Sequence, residues 1–306
     1  MTKKRHIKYN IEDLIRDDLK LKEKEFRIIQ KLNIPDSYSE IISGDTKRGV
    51  VVDVESTGLN IDHDDIIQIA LLPFEYDASS EKILRIFKEQ AYESYNEPKV
   101  PITEEATLIT GITNDMVKNK RIDNKHIEEI VQQTDLVIAH NAFFDRPMVE
   151  KYWDCFKNTA WTCTFSSINW LKEGFSSSKL EFLGFNFGWF YDGHTALNDC
   201  EACMALLTET LPISNQTVFE ACRKNAKNKS YLIKALNAPY DKRQLLRRKG
   251  YKWRPADKFN GKIWWIELPS FEDEVLWLQN KVINNKSELP IKEITAFERY
   301  SERIWE

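Results

Sequence analysis

The sequence lacks the features that would place the protein in a membrane or in an oxidising compartment. No apolar run reaches the roughly 18 residues that a membrane-spanning helix needs. The first residues, MTKKRHIKYNIEDLI, are charged and lack the apolar core of a secretory signal. The five cysteines are odd in number and scattered, which indicates free thiols and no disulfide framework. We therefore expect a cytoplasmic protein with no membrane contact.

The sequence also lacks a zinc-binding motif, internal repeats and low-complexity tracts. Cys200 and Cys203 have a metal-like spacing, but no second ligand pair follows at zinc-site spacing, and both lie on one apolar helix face. The remaining cysteines, Cys155, Cys163 and Cys222, are interpreted as packing residues.

What is present is enough for a substantial core and more than one domain. The chain has 306 residues, of which 42% are apolar. Residues 1–47 are polar with helix-like spacing at Ile11, Leu14, Ile15, Phe26, Ile29 and Leu32, so they predict a helical arm that ends in a loop over 37–49. Residues 48–212 alternate between strand and helix signals, which is typical of an α/β layer with a mixed sheet.

Residues 213–306 form a separate C-terminal region with a different composition. Val218 to Leu236 predicts a helix, residues 252–268 a hairpin that turns at DKFNG (257–261), and residues 270–284 a helix with Ser270 as N-cap. Between Arg223 and Lys262, fourteen Lys or Arg stand against two Asp, although the whole chain carries a net charge of −4. Such a block favours polyanions, or is only a solvated basic surface.

The aromatic residues of this region also allow two interpretations. Tyr251, Trp253, Phe259, Trp264 and Trp265 lie among the basic residues, and aromatic rings can stack on bases. In a hairpin, however, such rings more often form the core beneath a packed helix, and Trp277 and Leu278 could supply that cover. We expect most of them to be core residues.

Two carboxylates follow the first apolar strand in VVDVESTGLN, residues 51–60. Because side chains alternate between the faces of a strand, Asp53 and Glu55 point the same way. Carboxylates held together beside a buried run repel each other unless a cation lies between them. Such oxygen ligands suit hard divalent cations such as Mg²⁺. The alternative is that both face solvent near a strand end.

Two later segments place titratable residues at the ends of elements. In DLVIAHNAFFDRPMVE (135–150), Asp145 falls in the first turn of a helix, where the helix dipole alone could account for it. In GHTALNDCEACMALL (193–207), His194 lies in a loop before Asp199, which begins an apolar helix. The ordinary pKa of histidine, about 6.5, suits a general base, although a lone loop histidine is more often a plain surface residue.

Taken together, D-x-E-x-T-G, H-N-x-x-F-D and H-x-A-L-x-D follow one another in this order. With them the chain resembles the DEDDh (DnaQ-like) 3′→5′ exonuclease family, which includes polymerase proofreading subunits and related DNA and RNA exonucleases. The resemblance covers roughly residues 48–211, and ITEEATLITGITNDMV (102–117) is similar to the family's substrate-floor segment. It implies a ribonuclease H-like fold, a mixed five-stranded sheet flanked by helices, to which the chain adds the helical N-terminal arm and a small α+β C-terminal domain.

The resemblance also implies roles for ten residues. The ligands of two Mg²⁺ or Mn²⁺ ions would be Asp53, Glu55, Asp145 and Asp199. His194 would be the general base. The terminal nucleotide would lie against Thr57, Gly58, Leu59, Asn141 and Phe144. Cys163-Thr164 departs from the Asp-Thr of many relatives, but this position is not a metal ligand, so catalysis is expected to survive.

The predicted function is a metal-dependent 3′→5′ exonuclease that releases nucleoside 5′-monophosphates, with DNA favoured over RNA. The expected substrate is single-stranded DNA with a free 3′ end, and a polymerase or repair partner would be a separate chain. A homodimer is left open. The alternatives are a catalytically silent nucleic-acid-binding or interaction module on the same fold, and a hydrolase of RNA or of another phosphodiester.

Overall fold

A computed structural model of the protein describes residues 29–40, 44–255, 262–283 and 289–306. Its strands are β1 Gln30–Lys31, β2 Thr46–Ser56, β3 Ile66–Asp77, β4 Lys82–Ile86, β5 Tyr92–Tyr95, β6 Leu136–Ala139, β7 Ala160–Cys163, β8 Trp189–Phe190, β9 Ser230–Ala235, β10 Lys252–Arg254, β11 Ile263–Leu268 and β12 Ile291–Ile294. Its helices are α1 Glu104–Thr110, α2 Asn114–Val117, α3 Asn124–Gln132, α4 Ala142–Glu150, α5 Leu180–Phe187, α6 Ala196–Thr208, α7 Val218–Lys227, α8 Arg243–Lys249 and α9 Glu272–Leu278.

The central sheet is mixed and five strand positions wide. At its middle, β2 pairs antiparallel with β3 and parallel with β6, and β7 continues parallel beside β6. The 12-residue β3 is long enough for two partners on its outer edge, so β4 pairs with its end and β5 with its first half. Six strands therefore share five positions, and the predicted ribonuclease H-like arrangement is confirmed.

Helices cover both faces of this sheet, and the alternation along β2 explains which face each residue joins. Val50, Val52 and Val54 pack in the core beneath α3 and α4. Val51 packs on the opposite face with α5, α6 and α7. Because Asp53 and Glu55 have the parity of Val51, the sequence sends both carboxylates to the α6 face.

The N-terminal region differs from the predicted helical arm where the structure describes it. Residues 1–28 and 41–43 lie outside the described part, whereas 29–40 contain no helix. Gln30–Lys31 instead pairs in parallel with Trp189–Phe190, and Ile34 is buried in the core. Likewise β2 begins at Thr46, within the predicted loop. Helix-like spacing in this stretch was misleading because Leu32 and Ile34 pack on the distant core of the sheet domain.

The C-terminal region forms a second sheet in the order β10-β11-β9-β12. The predicted hairpin is confirmed by the antiparallel β10 and β11, while residues 256–261 of its turn lie outside the described part. The predicted helix from Val218 to Leu236 is wrong beyond Lys227, because SYLIKA becomes the strand between β11 and β12. Pairing on both edges overrides local helix propensity here. Ser270 is not the N-cap of α9, which begins after Phe271.

The aromatic residues of this sheet are mainly core, as expected. Tyr251, Trp264 and Trp265 are buried, whereas Trp253 is 46% exposed. Trp264 packs beneath α8 and α9, and Trp265 packs on the other face against Trp305 and Phe143. The second sheet is therefore covered by its own helices on one face, and on the other by Ile304 and Trp305 near the end of the chain together with Phe143 of the sheet domain.

The two regions are joined by more than the covalent chain. Helix α7 packs in the core of the central sheet, with Phe219 and Cys222 buried there. The last segment of the chain also contacts the central sheet, since Trp161 donates its backbone N–H to the carbonyl of Ala296. The division at residues 212 and 213 stays a prediction, and this packing favours grouping α7 with the sheet domain. Within the described residues, none of the helices is both long and apolar enough to cross a membrane.

Candidate active site

Three carboxylates meet at the end of β2. Oxygen atoms of Asp53, Glu55 and Asp199 all lie within 4.8 Å of one another. The first two come from one face of β2, and Asp199 comes from the first turn of α6. That helix begins at Ala196, three residues earlier than predicted. The expectation that Asp53 and Glu55 project together is met.

Asp145 lies beside this group and is turned towards the strand. It is buried in the first turn of α4, where its Oδ1 accepts the backbone N–H of Val54 at 3.3 Å. The charge of Asp145 contributes to the raised pKa of Asp53, so the two carboxyls interact electrostatically. Four acidic side chains from β2, α4 and α6 therefore approach one place, although only three share the tighter cluster.

Burial and mutual repulsion oppose ionisation of all four groups. Burial, followed by the charges of Asp145 and Asp199, holds the pKa of Asp53 well above its usual range. Burial and the charge of Asp199 raise the pKa of Glu55 to about 7. Burial also raises the pKa values of Asp145 and Asp199. The cause is direct: each carboxylate loses water and faces another negative charge.

Asp199 is oriented by two donors from the loop before its helix. The hydroxyl of Tyr191 donates to Oδ1 at 2.7 Å, and the backbone N–H of His194 donates to Oδ2 at 2.9 Å. Both bonds favour the ionised carboxyl and so lower its pKa against the effect of burial. Tyr191 was missed by sequence reasoning, because an isolated tyrosine eight residues from Asp199 carries no recognisable signal.

His194 occupies the loop position that the sequence predicts. Its backbone has φ of +67°, in the left-handed region that few residues other than glycine adopt. The imidazole is 60% exposed, and its Nε2 lies 3.9 Å from Oε1 of Glu181 on α5. The role of His194 as general base stays a prediction, and its exposed imidazole is open to solvent.

Helix α6 begins without a local side-chain cap and is held by two residues from the sheet. Thr195 makes no capping bond. Instead Oε1 of Gln68 accepts the N–H of Ala196 at 3.3 Å, and Oε1 of Glu93 accepts the N–H of Leu197 at 3.2 Å. Gln68 also donates to Glu93 at 3.0 Å. These long-range bonds satisfy the free N–H groups of the helix start and position Asp199.

The predicted substrate residues Thr57, Gly58 and Leu59 form the turn after β2. Thr57 Oγ1 donates to Asp64 at 2.9 Å, and a Cβ on Gly58 would lie 2.6 Å from that same carboxylate. The need for glycine here is thus explained by the close approach of Asp64. Leu59 is 85% exposed, which leaves its side chain free to contact a ligand.

Asn141 and Phe144 lie on the other side of the site, at the start of α4. Asn141 is exposed, and its side chain does not cap the helix that it precedes. Phe144 is half-buried against the core beneath α4. The roles of these five residues as nucleotide contacts stay predictions.

His140 has a structural role and stays neutral. Its Nε2 lies 2.9 Å from the carbonyl of Ser178, so this nitrogen carries the proton, and the hydroxyl of Thr164 donates to Nδ1 at 2.8 Å. Burial lowers the pKa of His140 to about 4. At the departure from the relatives' pattern, the Cys163 thiol is buried and receives the Ala142 N–H at 3.4 Å, so it supports the start of α4.

The cluster fits divalent cations on its own chemistry. Among the described residues, no Lys or Arg forms an ion pair with Asp53, Glu55, Asp145 or Asp199. Buried carboxylates without a counter-charge are costly, and oxygen donors are the ligands that Mg²⁺ and Mn²⁺ prefer. The four carboxylates therefore form a suitable metal-binding group.

A comparison of sequences agrees with this geometry. The profile of the family described as Exonuclease (RNase_T) matches residues 50–207, just over half of the chain. The chain belongs to the exonuclease family. This membership confirms the predicted relationship, and the matched range contains all ten residues to which the sequence assigned a role.

Several known proteins resemble this exonuclease-family chain over part of their length. A DNA polymerase III PolC-type of Caldanaerobacter subterraneus is 32% identical over 98 residues, which are 31% of this chain and 6% of that protein. A DNA polymerase III PolC-type of Streptococcus agalactiae is 33% identical over 118 residues, 37% of this chain and 7% of that protein. The chain thus spans less than a tenth of the curated relatives that it matches.

Solved exonuclease structures are similar as well. Exonuclease X in complex with 5′ overhanging duplex DNA is 26% identical, with a TM-score of 0.38 over 52% of this chain and 88% of that one. E. coli exonuclease I in complex with an oligonucleotide is 14% identical, with a TM-score of 0.49 over 85% of this chain and 66% of that one.

Proposed function

We propose that the protein hydrolyses nucleic acids from the 3′ end and releases nucleoside 5′-monophosphates. The observation that carries this proposal is the cluster of Asp53, Glu55 and Asp199, whose oxygens lie within 4.8 Å of one another and have no cationic partner among the described residues. Carboxylates grouped in this way can hold divalent cations that stabilise the charge on a reacting phosphate. The three residues lie within the range matched by the exonuclease family.

The four carboxylates would hold two Mg²⁺ or Mn²⁺ ions, with Asp145 as the fourth ligand from α4. When bound, such ions neutralise the negative charge that builds on the phosphoryl and leaving oxygens, and they acidify the attacking water. The task of the chain is to keep the oxygens converged before substrate arrives. Tyr191 and the backbone of His194 support this by fixing both oxygens of Asp199.

His194 would accept the proton of the attacking water through its imidazole. The loop places the ring at the surface, and the backbone N–H of the same residue is bonded to Asp199, so the base and the carboxylate move together. Exposed Asn141 and Leu59 would contact the terminal nucleotide.

The preferred substrate is proposed to be single-stranded DNA with a free 3′ end. This preference is supported by the relatives, which are named as DNA polymerases. A cytoplasmic location fits such a substrate. A polymerase or repair partner and a homodimer stay predictions.

A substrate panel tests the proposal. Purified full-length protein is incubated with 3′-labelled and 5′-labelled single strands, duplexes and RNA, with Mg²⁺, with Mn²⁺ and with chelator. We expect stepwise shortening from the 3′ end that needs a divalent cation and yields nucleoside 5′-monophosphates. Binding without turnover under every metal condition would favour the silent module, and RNA as the sole substrate would favour the alternative hydrolase.

Two variants assign the residues. Asp53→Asn should abolish turnover, whereas Asp273→Asn, exposed on α9, serves as the matched control and should behave like wild type. His194→Ala should lose about 10²–10⁴-fold in rate, the usual contribution of a general base, while retaining metal binding by calorimetry. Wild-type turnover by Asp53→Asn would refute the metal assignment, and an unchanged rate for His194→Ala would remove it from the mechanism.

A further inference from the structure

A large groove lies between the sheet domain and the C-terminal sheet, and its lining includes none of the residues of the carboxylate cluster. It encloses about 680 Å³, within the range of roughly 300–1,000 Å³ typical of ligand-binding pockets. Phe143, Ser166 and Ser167 line it from the sheet domain, while Lys252 and Trp265 line it from the C-terminal sheet. The groove therefore depends on both regions.

The lining is basic. It contains Lys224, Lys229, Lys252 and Arg299 against a single carboxylate, Glu267. Glu267 is already neutralised, because Nε of the buried Arg299 lies 2.9 Å from its Oε1. Lys224 and Lys252 therefore leave the lining net positive in a chain whose overall charge is −4, since the third lysine, Lys229, pairs with Glu293.

Two of these lysines are available to a polyanion. Lys224 is exposed on α7 and forms no ion pair with any described carboxylate. Lys252 is exposed and lies over the rings of Phe143 and Trp265, at 5.6 and 5.2 Å, without a carboxylate partner in the described part of the chain. Lys229 differs, because Glu293 pairs with it at 2.8 Å.

Helix α8 also lies within the basic block between Arg223 and Lys262. In α8, Lys249 is paired with Glu274 at 3.4 Å and lies over Trp277, while Arg247 lies over Trp264. Lys249 thus has a carboxylate partner, whereas Arg247 and Arg248 are exposed and form no ion pair with a described carboxylate. Helix α8 is therefore a second basic surface, and the groove differs from it by its concave shape and by its place beside α4.

The groove begins next to the catalytic edge of the sheet. Strands β6 and β7 are parallel neighbours with Ala139 opposite Cys163, so the segments that leave them emerge side by side. The first segment, 140–141, leads into the helix of Asp145. The second leads through exposed Phe165, whose ring meets His140 edge-on at 5.7 Å, to the groove residues Ser166 and Ser167.

Helix α4 joins the two places directly. Asp145 in its first turn lies beside the carboxylate cluster, whereas Phe143, two residues earlier, lines the groove and contacts Tyr300 edge-on at 4.9 Å. The carboxylate site and the groove therefore both lie at the start of α4. A strand whose 3′ end lies at the carboxylates would reach the groove with the nucleotides that precede this end.

We infer that this groove binds the single-stranded part of the substrate on the 5′ side of the scissile phosphate, with Lys224 and Lys252 contacting its phosphates. The inference rests on the proposed exonuclease function and extends its substrate site onto the C-terminal domain. Lysines that contact phosphates supply the sequence-independent part of single-strand binding, and Lys224 and Lys252 are both exposed at this groove.

The test compares a long strand with a substrate that occupies only the catalytic site. The long substrate is single-stranded DNA of about 20 nucleotides, more than the roughly 4–16 that one single-strand-binding fold covers. The short one is a p-nitrophenyl ester of a nucleoside 5′-monophosphate. Lys224→Gln, Lys252→Gln and the double variant are compared with Lys125→Gln, an exposed lysine of α3 outside the groove.

For the double variant on the long strand, we expect KM to rise roughly tenfold at about 0.1 M salt, with kcat little changed. A plot of log KM against log salt concentration should be flatter by about 1.4 in slope, which is about 0.7 for each lost phosphate contact. Turnover of the ester should match wild type, as should Lys125→Gln on both substrates. Lys252 contacts the rings of Phe143 and Trp265, so its replacement could disturb their packing. In that case the single variant Lys224→Gln still provides the test.

Wild-type KM and salt slope in all groove variants would overturn the inference while leaving the nuclease proposal intact. An equal loss on the ester would also overturn it, because the lysines would then act on the catalytic site. If the wild-type protein hydrolyses neither substrate, the proposed function fails, and the inference fails with it.

Discussion

Replacing Glu55 with glutamine is expected to stabilise the metal-free protein at pH 8 and to change its stability little near pH 4. Burial and the charge of Asp199 raise the pKa of Glu55 from 4.5 to about 7 in the folded protein. Between these values the folded chain keeps a proton that the unfolded chain has released, so the free energy of unfolding falls as pH rises. Above pH 7, both states are ionised and the loss is complete.

The size of the effect follows from the same two values. At 1.36 kcal/mol for each pKa unit, a shift from 4.5 to about 7 corresponds to roughly 3 kcal/mol. Because glutamine carries no charge, Glu55→Gln should recover up to that amount at pH 8. For a chain of this length, about 2–4 °C accompanies each kcal/mol, so the thermal midpoint should rise by roughly 6–12 °C.

The assay is thermal and urea unfolding in chelator at pH 4 and pH 8. Glu128→Gln, on the exposed face of α3, is the control and should show no pH-dependent difference from wild type. Added Mg²⁺ should stabilise wild type at pH 8 more than it stabilises Glu55→Gln. If Glu55→Gln lowers the free energy of unfolding by the same amount at both pH values, ionised Glu55 does not destabilise the metal-free protein and the reasoning is refuted.

Two further substitutions test how the site is supported. Tyr191→Phe removes the donor to Asp199 Oδ1, so we expect metal affinity by calorimetry and nuclease rate to fall roughly 10–100-fold with the thermal midpoint retained. Unchanged affinity would contradict a positioning role. Arg146→Met removes the buried donor to the carbonyls of Ala296 and Arg299, while Glu150 keeps Arg303 at 3.2 Å. Urea unfolding should show a loss of about 1–3 kcal/mol, whereas a neutral effect would contradict the stabilising role of Arg146.

The four carboxylates at the end of the central sheet could be predicted because short stretches of sequence determine the direction of each one. Strand alternation places Asp53 and Glu55 together, and a helix start places Asp145 and Asp199 in first turns. Their mutual approach followed from the family resemblance and from the tendency of α/β sheets to place their sites at strand ends. Gln68, Glu93 and Tyr191 were not predictable, since their partners are distant or isolated in sequence.

The C-terminal region shows the opposite case. Strand β9 has a helix-compatible composition, and only its two neighbours in the sheet decide its conformation. The basic segment was correctly seen as a charge block, but its individual contacts depend on folding. Lys249 is paired with Glu274 across the domain, whereas Lys252, three residues later, lies over aromatic rings at the groove.

The buried Arg146 connects the sheet domain to the last segment of the chain. Its guanidinium donates to the carbonyls of Ala296, Phe297 and Arg299 and to the carboxylate of Glu150. Because Arg146 follows Asp145 on α4, the end of the chain is tied to the helix that carries a predicted metal ligand. No local pattern around Arg146 signals this connection.

The most direct test of the account is a crystal structure of the protein soaked with Mn²⁺, with data collected for the anomalous signal of manganese. We expect two anomalous peaks among the carboxylates of Asp53, Glu55, Asp145 and Asp199, each with oxygen ligands. Four carboxylates splayed apart, with no manganese between them at saturating concentration, would contradict the central claim that these side chains form a metal-binding catalytic site.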